Sequence, residues 1–264
     1  MKVQYGEVFS DIKDGFLDWR MWSRLGWKET VRRYRRTIIG PFWTTLSLGI
    51  FIVAMGLVWA QLWKQDIKDY LPFLTAGMLA WGFFQSIVNE GCPVFTGASA
   101  LITSMQVPYT ALTCAVVWRN VIIFFHNIII LAIIMLYAGS AVTWYSLLVI
   151  PGLLLTSFNG VWFGLLLGAI CTRFRDIQQI ISSILQISMF VTPVFWSPAQ
   201  LGERGDWFVK YNVLYHFVDI LRAPLLGKAP DNFSYYVVLG ATVIGWALTF
   251  FVLSRVRHRI PYWL

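Results

Sequence analysis

From Phe42 to Trp63 the chain carries no charged residue, and the same holds from Tyr70 to Asn89. No other feature limits the fold so severely. A helix that crosses the hydrocarbon core of a bilayer needs about 20 consecutive, mostly apolar residues, and both stretches supply them. Four further runs follow: Ala111–Tyr137, which holds Arg119 and His126; Trp144–Cys171, with Pro151 and Asn159 inside it; Ile177–Trp196, with Pro193 near its end; and Tyr235–Leu253. The runs are continuous rather than alternating, which argues for helices over a transmembrane barrel. Composition agrees, with 13% charged residues where a soluble domain carries about 25%. The expected fold is an all-α integral membrane protein with six transmembrane helices, in one unit spanning residues 1–264.

Orientation follows from the basic residues. With the N-terminus inside, the inner segments collect fourteen of the 21 Lys and Arg and the outer segments six, leaving Arg119 within a span. That bias places both termini in the cytoplasm. It also accounts for the net charge of +8 without a nucleic-acid partner. The first apolar run begins only at Phe42, so the first span, rather than a cleavable leader, is expected to direct insertion. Cys92, Cys114 and Cys171 have neither a disulfide framework nor metal-ligand spacing, and no metal site is expected.

Two segments are neither spans nor simple loops. Before the first span, residues 11–36 mix charge with Phe16, Leu17, Trp19, Met21, Trp22, Leu25 and Trp27, a composition suited to an amphipathic helix in the headgroup plane, with Gly26 as an interruption. The second segment is Ser197–Ser234 on the outer side. There Leu214, Phe217, Val218 and Leu221 fall on one helical face, in a piece too short and too charged to span. It reads as a re-entrant or interfacial helix, the kind of element tolerated where protein or water surrounds it.

Four motifs, in this order on a six-helix chain, carry a resemblance: "RRYRRTIIGPFW" (Arg32–Trp43) opening the first span, "RFRDI" (Arg173–Ile177), "VTPVFW" (Val191–Trp196), and "YNVLYHFVDILRAPLLG" (Tyr211–Gly227). The chain resembles the ABC-2 permeases that export bacterial polysaccharides, closest to the O-antigen branch. It departs from them at Asn212-Val213, where an Asn-Pro is usual, and this should soften a helix start only. The resemblance implies a homodimer in the bacterial inner membrane, paired with two copies of a nucleotide-binding subunit that holds ATP and Mg. It also implies a polysaccharide on an undecaprenyl-diphosphate lipid as substrate. The chain itself has no G-x-x-x-x-G-K-[ST] loop to cradle ATP phosphates.

Site expectations divide by level in the membrane. Arg32, Arg35 and Arg36 share a helical face, with Arg33 pointing elsewhere, and are candidates for the substrate diphosphate through charge-assisted hydrogen bonds. Anchoring to anionic lipid at the inner end of the first span is by itself a sufficient explanation of the same arginines. Arg173, Arg175 and Asp176 sit on a short inner turn expected to couple to the ATPase, and Glu90 opens an inner loop, free of Lys and Arg, that a partner would cover. Trp59, Trp63, Phe190, Phe195 and Trp196 are candidate linings of a glycan path, although most aromatics in such chains form interfacial belts. Tyr211, Asn212, Tyr215, His216, Asp219 and Arg222 are candidates for a periplasmic gate. Arg119 reads as an interfacial residue, and His126 with Asn127 as hydrogen-bonding partners for a neighbouring helix. A membrane enzyme acting on lipid-linked sugars is the competing reading. Asp66, Asp69, Glu90, Asp176, Glu203, Asp206, Asp219 and Asp231 are too scattered to support it, and no catalytic residue is expected.

Overall fold

The computed structural model describes residues 5–34, 40 and 42–264, and among these residues there is no strand. Two helices, α1 (Tyr5–Leu17) and α2 (Trp19–Tyr34), precede the first apolar run. Next come α3 (Phe42–Leu62), α4 (Ile67–Gly91), the short α5 (Val94–Gly97) and α6 (Ser99–Ser104), and α7 (Tyr109–Ala138). The second half comprises α8 (Val149–Arg173), α9 (Asp176–Val191), α10 (Glu203–Tyr211), α11 (Val213–Leu225), α12 (Asn232–Val256) and the terminal turn α13 (Ile260–Trp263).

Among the described residues, five helical stretches are long and apolar enough to cross a membrane: α3, α4, α7, the stretch Trp144–Arg173 that ends in α8, and Asn232–Trp263, which begins with α12. The fifth expected span is occupied by α9, a helix of 16 residues. At 1.5 Å per residue it reaches about 24 Å, short of a core about 30 Å thick. Beyond it, residues 192–197 are non-helical.

α4 is the hub. It is buried along most of its length and packs against α3, α7, α8 and α11. Local chemistry fixes where it starts: Asp66 caps it by accepting from the Lys68 amide at 2.9 Å. Pro72 lies inside the helix, in its second turn, and leaves the Lys68 carbonyl without its intrahelical donor. Asp231 caps α12 in the same way, accepting from the Phe233 amide at 3.0 Å. Gly139, in the left-handed region at φ +70°, closes α7.

The N-terminal pair α1–α2 is docked rather than free. Both helices pack along α7, and α1 also meets α12. Gly26 does not interrupt the helix as the sequence suggests. It lies inside α2, and an added Cβ would stand 2.7 Å from the Ala115 carbonyl oxygen of α7. The Asp11 side chain of α1 accepts from the Tyr109 amide at 3.0 Å and the Thr110 amide at 3.1 Å. These are orphan donors at the start of α7, so the cap of a membrane helix comes from another helix. Glycine also sets the crossing of α8 and α11, where a Cβ on Gly152 would meet the Ile220 carbonyl oxygen at 2.4 Å.

Candidate functional site

The charged residues at the α2 end of the bundle converge on one carboxylate. Glu90, one residue before the end of α4, accepts from Arg33 of α2 at 2.8 Å, from Arg119 Nη2 at 2.7 Å and Nε at 3.2 Å, and from Asn120 Nδ2 at 2.8 Å. Arg119 also binds Glu29 of α2. Two guanidiniums and two carboxylates thus balance one another across α2, α4 and α7. Arg119 is 9% exposed, so the interfacial reading of the sequence is corrected: its charge is turned inward and paired. Glu90, the expected contact in a loop that a partner would cover, holds three helices of its own chain together. Asn127 accepts from Thr45 of α3 at 3.0 Å, the interhelical bond expected of it, while His126 bonds the Ile122 carbonyl of its own helix at 2.8 Å.

Cavities flank the node on two sides. One, of about 520 Å³, is bounded by Leu25, Glu29, Arg32, Arg33, Glu90 and Arg119 among others. The other, of about 330 Å³, runs up between α3, α4 and α7. Arg33 borders both. Arg32 is exposed beside the first cavity, whereas Arg35 and Arg36 lie outside the described residues. Arg33 reaches Glu90, and both Arg32 and Arg33 border the first cavity.

The five aromatic candidates, distant in sequence, form one cluster at the opposite end. Trp59 stacks on Trp63 at 5.9 Å and on Phe195 at 6.2 Å, and Phe195 meets Phe190 at 5.8 Å. The Trp196 indole donates to the Phe190 carbonyl at 3.1 Å. Phe195 is 3% exposed and props up the others, leaving Trp63 and Phe190 at the surface.

Beside this cluster, α11 ties down the exit of α9. Asn212 caps α11 by accepting from the Leu214 and Tyr215 amides at 3.0 and 3.2 Å, and its amide donates to Thr192 at 3.1 Å. The missing proline after Asn212 is therefore compensated by a side-chain cap. Arg222 is buried, donates to the Pro193 carbonyl, and lies over the Phe73 ring at 4.7 Å and the Tyr215 ring at 5.5 Å. Asp219 accepts from Ser234 at 2.8 Å, and His216 meets the same hydroxyl at 3.0 Å, joining α11 to α12. Tyr211 is exposed and meets the Trp207 ring at 5.2 Å, tilted against it.

The turn joining α8 to α9 leaves Arg173, Arg175 and Asp176 exposed, with Arg173 between the Phe174 and Trp263 rings at 5.1 and 5.2 Å. α9 itself is the least covered of the membrane-depth helices, with Leu185 its only buried residue. Its exposed side divides in two. Gln179, Ser183 and Gln186, spaced i, i+4, i+7, form a polar stripe that leads to Phe190, and Ile180, Ile184, Ile187 and Val191 lie beside it. Among the described residues, no group of three or more His, Cys, Asp or Glu side chains could hold a metal ion.

Membrane-length helices around a buried hub, with a polar stripe left open at membrane depth, define a multi-pass α-helical membrane protein. Comparison with known proteins identifies its kind. The ABC-2 type transporter family matches residues 21–226, and the chain belongs to that family. An O-antigen export system permease protein RfbA from Myxococcus xanthus is 27% identical over 178 residues, covering 67% of this chain and 68% of the relative. Two proteins of the same name from Klebsiella pneumoniae are 19% and 20% identical over 240 and 239 residues, each covering 88% of this chain and 90% of the relative. The chain is thus the membrane subunit of a transporter and not an enzyme, and the family implies a separate ATPase partner.

The sequence reading missed Glu29, Arg33 and Asn120 as parts of the node. A signal was present: an arginine inside an apolar run requires a buried counter-charge, and Glu90 ends the preceding span.

Proposed function

We propose that the chain is the permease of an ATP-driven exporter. It moves an undecaprenyl-diphosphate-linked polysaccharide, lipopolysaccharide O-antigen, from cytoplasm to periplasm across the bacterial inner membrane. The observation that carries this reading is the polar stripe Gln179–Ser183–Gln186 on α9. Amides and a hydroxyl facing lipid would be costly, whereas a hydrated path for a glycan suits them. The names of the relatives supply the class of cargo. In this reading α9 and residues 192–196 together make a fifth crossing, giving six in all with both termini in the cytoplasm. A second copy of the chain closes the path opposite α9.

Arg32, Arg35 and Arg36 receive the diphosphate at the inner entrance. The exposed Arg173–Asp176 turn takes up motion from two ATPase subunits that bind ATP and Mg. The aromatic cluster around Trp59 and Phe195 offers sugar rings weak, similar contacts near the exit, where α10 and α11 form the gate. The test is purification in mild detergent together with an export assay in cells. A stable complex of two permeases and two ATPases, with surface polysaccharide lost on deletion of this chain, is expected. No ATPase partner, with sugar transfer by the chain alone, would overturn the reading. Replacing Arg35 and Arg36 with lysine keeps charge but removes the bidentate fork, and unchanged export in that variant would reduce these arginines to lipid anchors.

A further inference from the structure

The cavity of about 330 Å³ between α3, α4 and α7 has features that helix packing does not explain. The first is Gly82, in the middle of α4 and on the cavity wall. A glycine inside a helix costs about 1 kcal/mol relative to alanine, and membrane helices use it where another backbone comes close. Gly77 and Gly91 fit that pattern, since a Cβ on each would meet neighbouring backbone at 3.0 and 2.9 Å. At Gly82 an added Cβ meets nothing within 4 Å. What its small size preserves is the space itself.

The second feature is the chemistry of the wall. Trp81 is 1% exposed, and its indole N–H is buried with no partner. A buried donor left unpaired costs about 1–3 kcal/mol, so a partner is to be expected within the cavity. Gln85 and Ser86, one helical turn further along, make no side-chain hydrogen bond among the described residues. Asn120 spends its amide nitrogen on Glu90 and Val116, leaving its carbonyl oxygen free, while Asn127 uses only its oxygen, leaving its nitrogen. The charges at the mouth, Arg33 and Glu90, already compensate each other. Among the described residues, spare capacity is therefore neutral and of both kinds, donor and acceptor, above an apolar floor that includes Leu48 and Phe124.

We infer that this cavity is a carbohydrate site, taking a neutral, hydroxyl-bearing headgroup carried on a membrane lipid. Hydroxyls donate and accept at once, which matches a wall of amides, a hydroxyl and an indole N–H. An anionic group gains little from a mouth whose arginine is already paired. The pocket stands at the low end of the usual range for ligand sites, room for the sugar nearest the lipid rather than for a chain. The assignment rests on the export reading only for the origin of the sugar.

The test uses the full chain in a polyoxyethylene detergent, with n-octyl-β-D-glucoside as probe and native mass spectrometry as readout. One retained glucoside per chain is expected, against none for a polyoxyethylene amphiphile of equal tail length. Gly82→Leu, which fills the space, and Gln85→Leu, which removes an amide, should each weaken retention about tenfold while keeping the melting temperature of the parent. If one variant fails to fold, the other decides. Free glucose as a second probe separates the sources: retention of the glucoside alone marks a lipid-borne sugar, and retention of glucose as well marks a glycan segment. Retention unchanged in the folded variants, or no preference for the glucoside over the control, would make the cavity a water pocket and overturn the assignment. Loss of export in cells with glucoside retention intact would bear on the cargo and not on this site.

Discussion

Glu90 accepts two hydrogen bonds from the guanidinium of Arg119, at 2.7 and 3.2 Å, so the end of α4 is locked to α7 by a forked ion pair. The Arg119 side chain is 11% exposed, and removing Glu90 takes away one of its two carboxylate partners and leaves Glu29. Glu90→Ala should therefore cost about 2 kcal/mol, the worth of buried hydrogen bonds to a charged group with one ion pair kept. Arg33 bonds the same carboxylate with its side chain 45% exposed, and Arg33→Ala should cost no more than about 1 kcal/mol. Thermal unfolding in detergent measures both. Equal losses would mean that burial does not set the strength of this node.

Asp11 supplies the missing cap of α7 from outside the helix, binding two amides and the Thr110 hydroxyl at 2.9 Å. Arg257 approaches the same carboxylate at 3.2 Å, bringing in the C-terminal segment. Asp11→Ala should lower stability by about 1–2 kcal/mol, the usual worth of a helix cap. It should also speed proteolysis at α1 before any cleavage in α4. Asp11→Asn, still able to accept, should recover part of the loss.

Two glycines make opposite predictions. At Gly26 a Cβ would press on the Ala115 carbonyl at 2.7 Å, and backbone does not yield easily. Gly26→Ala should part α2 from α7 and lower the melting temperature. At Gly82 nothing lies within 4 Å, so Gly82→Ala should stabilise α4 by about 0.5–1 kcal/mol. A melting temperature that falls in both variants would show that Gly82 has a packing partner after all.

How much of this was legible beforehand depends on whether the deciding contact is local. Uncharged runs announce membrane helices because a bilayer leaves few alternatives, and α3, α4, α7, α8 and α12 lie where those runs fall. The cap by Asn212 and the apolar face of α11 are local as well, and both could be read from spacing. Gly26 misled because a glycine that breaks an isolated helix and one that admits a neighbouring helix look identical in sequence. The Glu90 node joins residues 29, 33, 90, 119 and 120, and no periodicity connects them. The aromatic cluster could be guessed as a set, since its members end two spans on one side of the membrane, but Phe195 as its buried support could not. The length of α9 was misjudged at one end because the apolar run continues through Thr192-Pro193, where the helix does not.

Arg222 holds that non-helical exit. Its guanidinium donates to Pro193 and lies between Phe73 and Tyr215, so it joins α11, α4 and the end of α9 at one point. Lysine keeps the charge but lacks both the fork and the flat face that rests on rings. Arg222→Lys should cost about 2 kcal/mol. Hydrogen exchange should rise at residues 192–197 and stay unchanged at the opposite end, near Glu90. Uniform exchange throughout the chain would mean that the contact stabilises the whole bundle and not this exit.

The stripe on α9 yields the most direct prediction, because its two exposed halves differ only in what they face. Gln179, Ser183 and Gln186 lie within a narrow arc, and Ile180, Ile184 and Ile187 lie about a quarter-turn away on the same helix. The native cysteines at 92, 114 and 171 are buried, so single cysteines introduced on α9 can be read without removing them. If the stripe borders a hydrated path, Cys at 179, 183 and 186 should react with a membrane-impermeant maleimide in intact membranes. Cys at 180, 184 and 187, facing lipid or a partner helix, should be protected about tenfold or more, since a thiol in hydrocarbon is rarely ionised. The ratio should hold at all three levels, because a path must be continuous along the helix. Protection of 183 with reaction only at 179 would confine water to the inner end of α9, and the helix would then be a wall between subunits rather than the lining of a route.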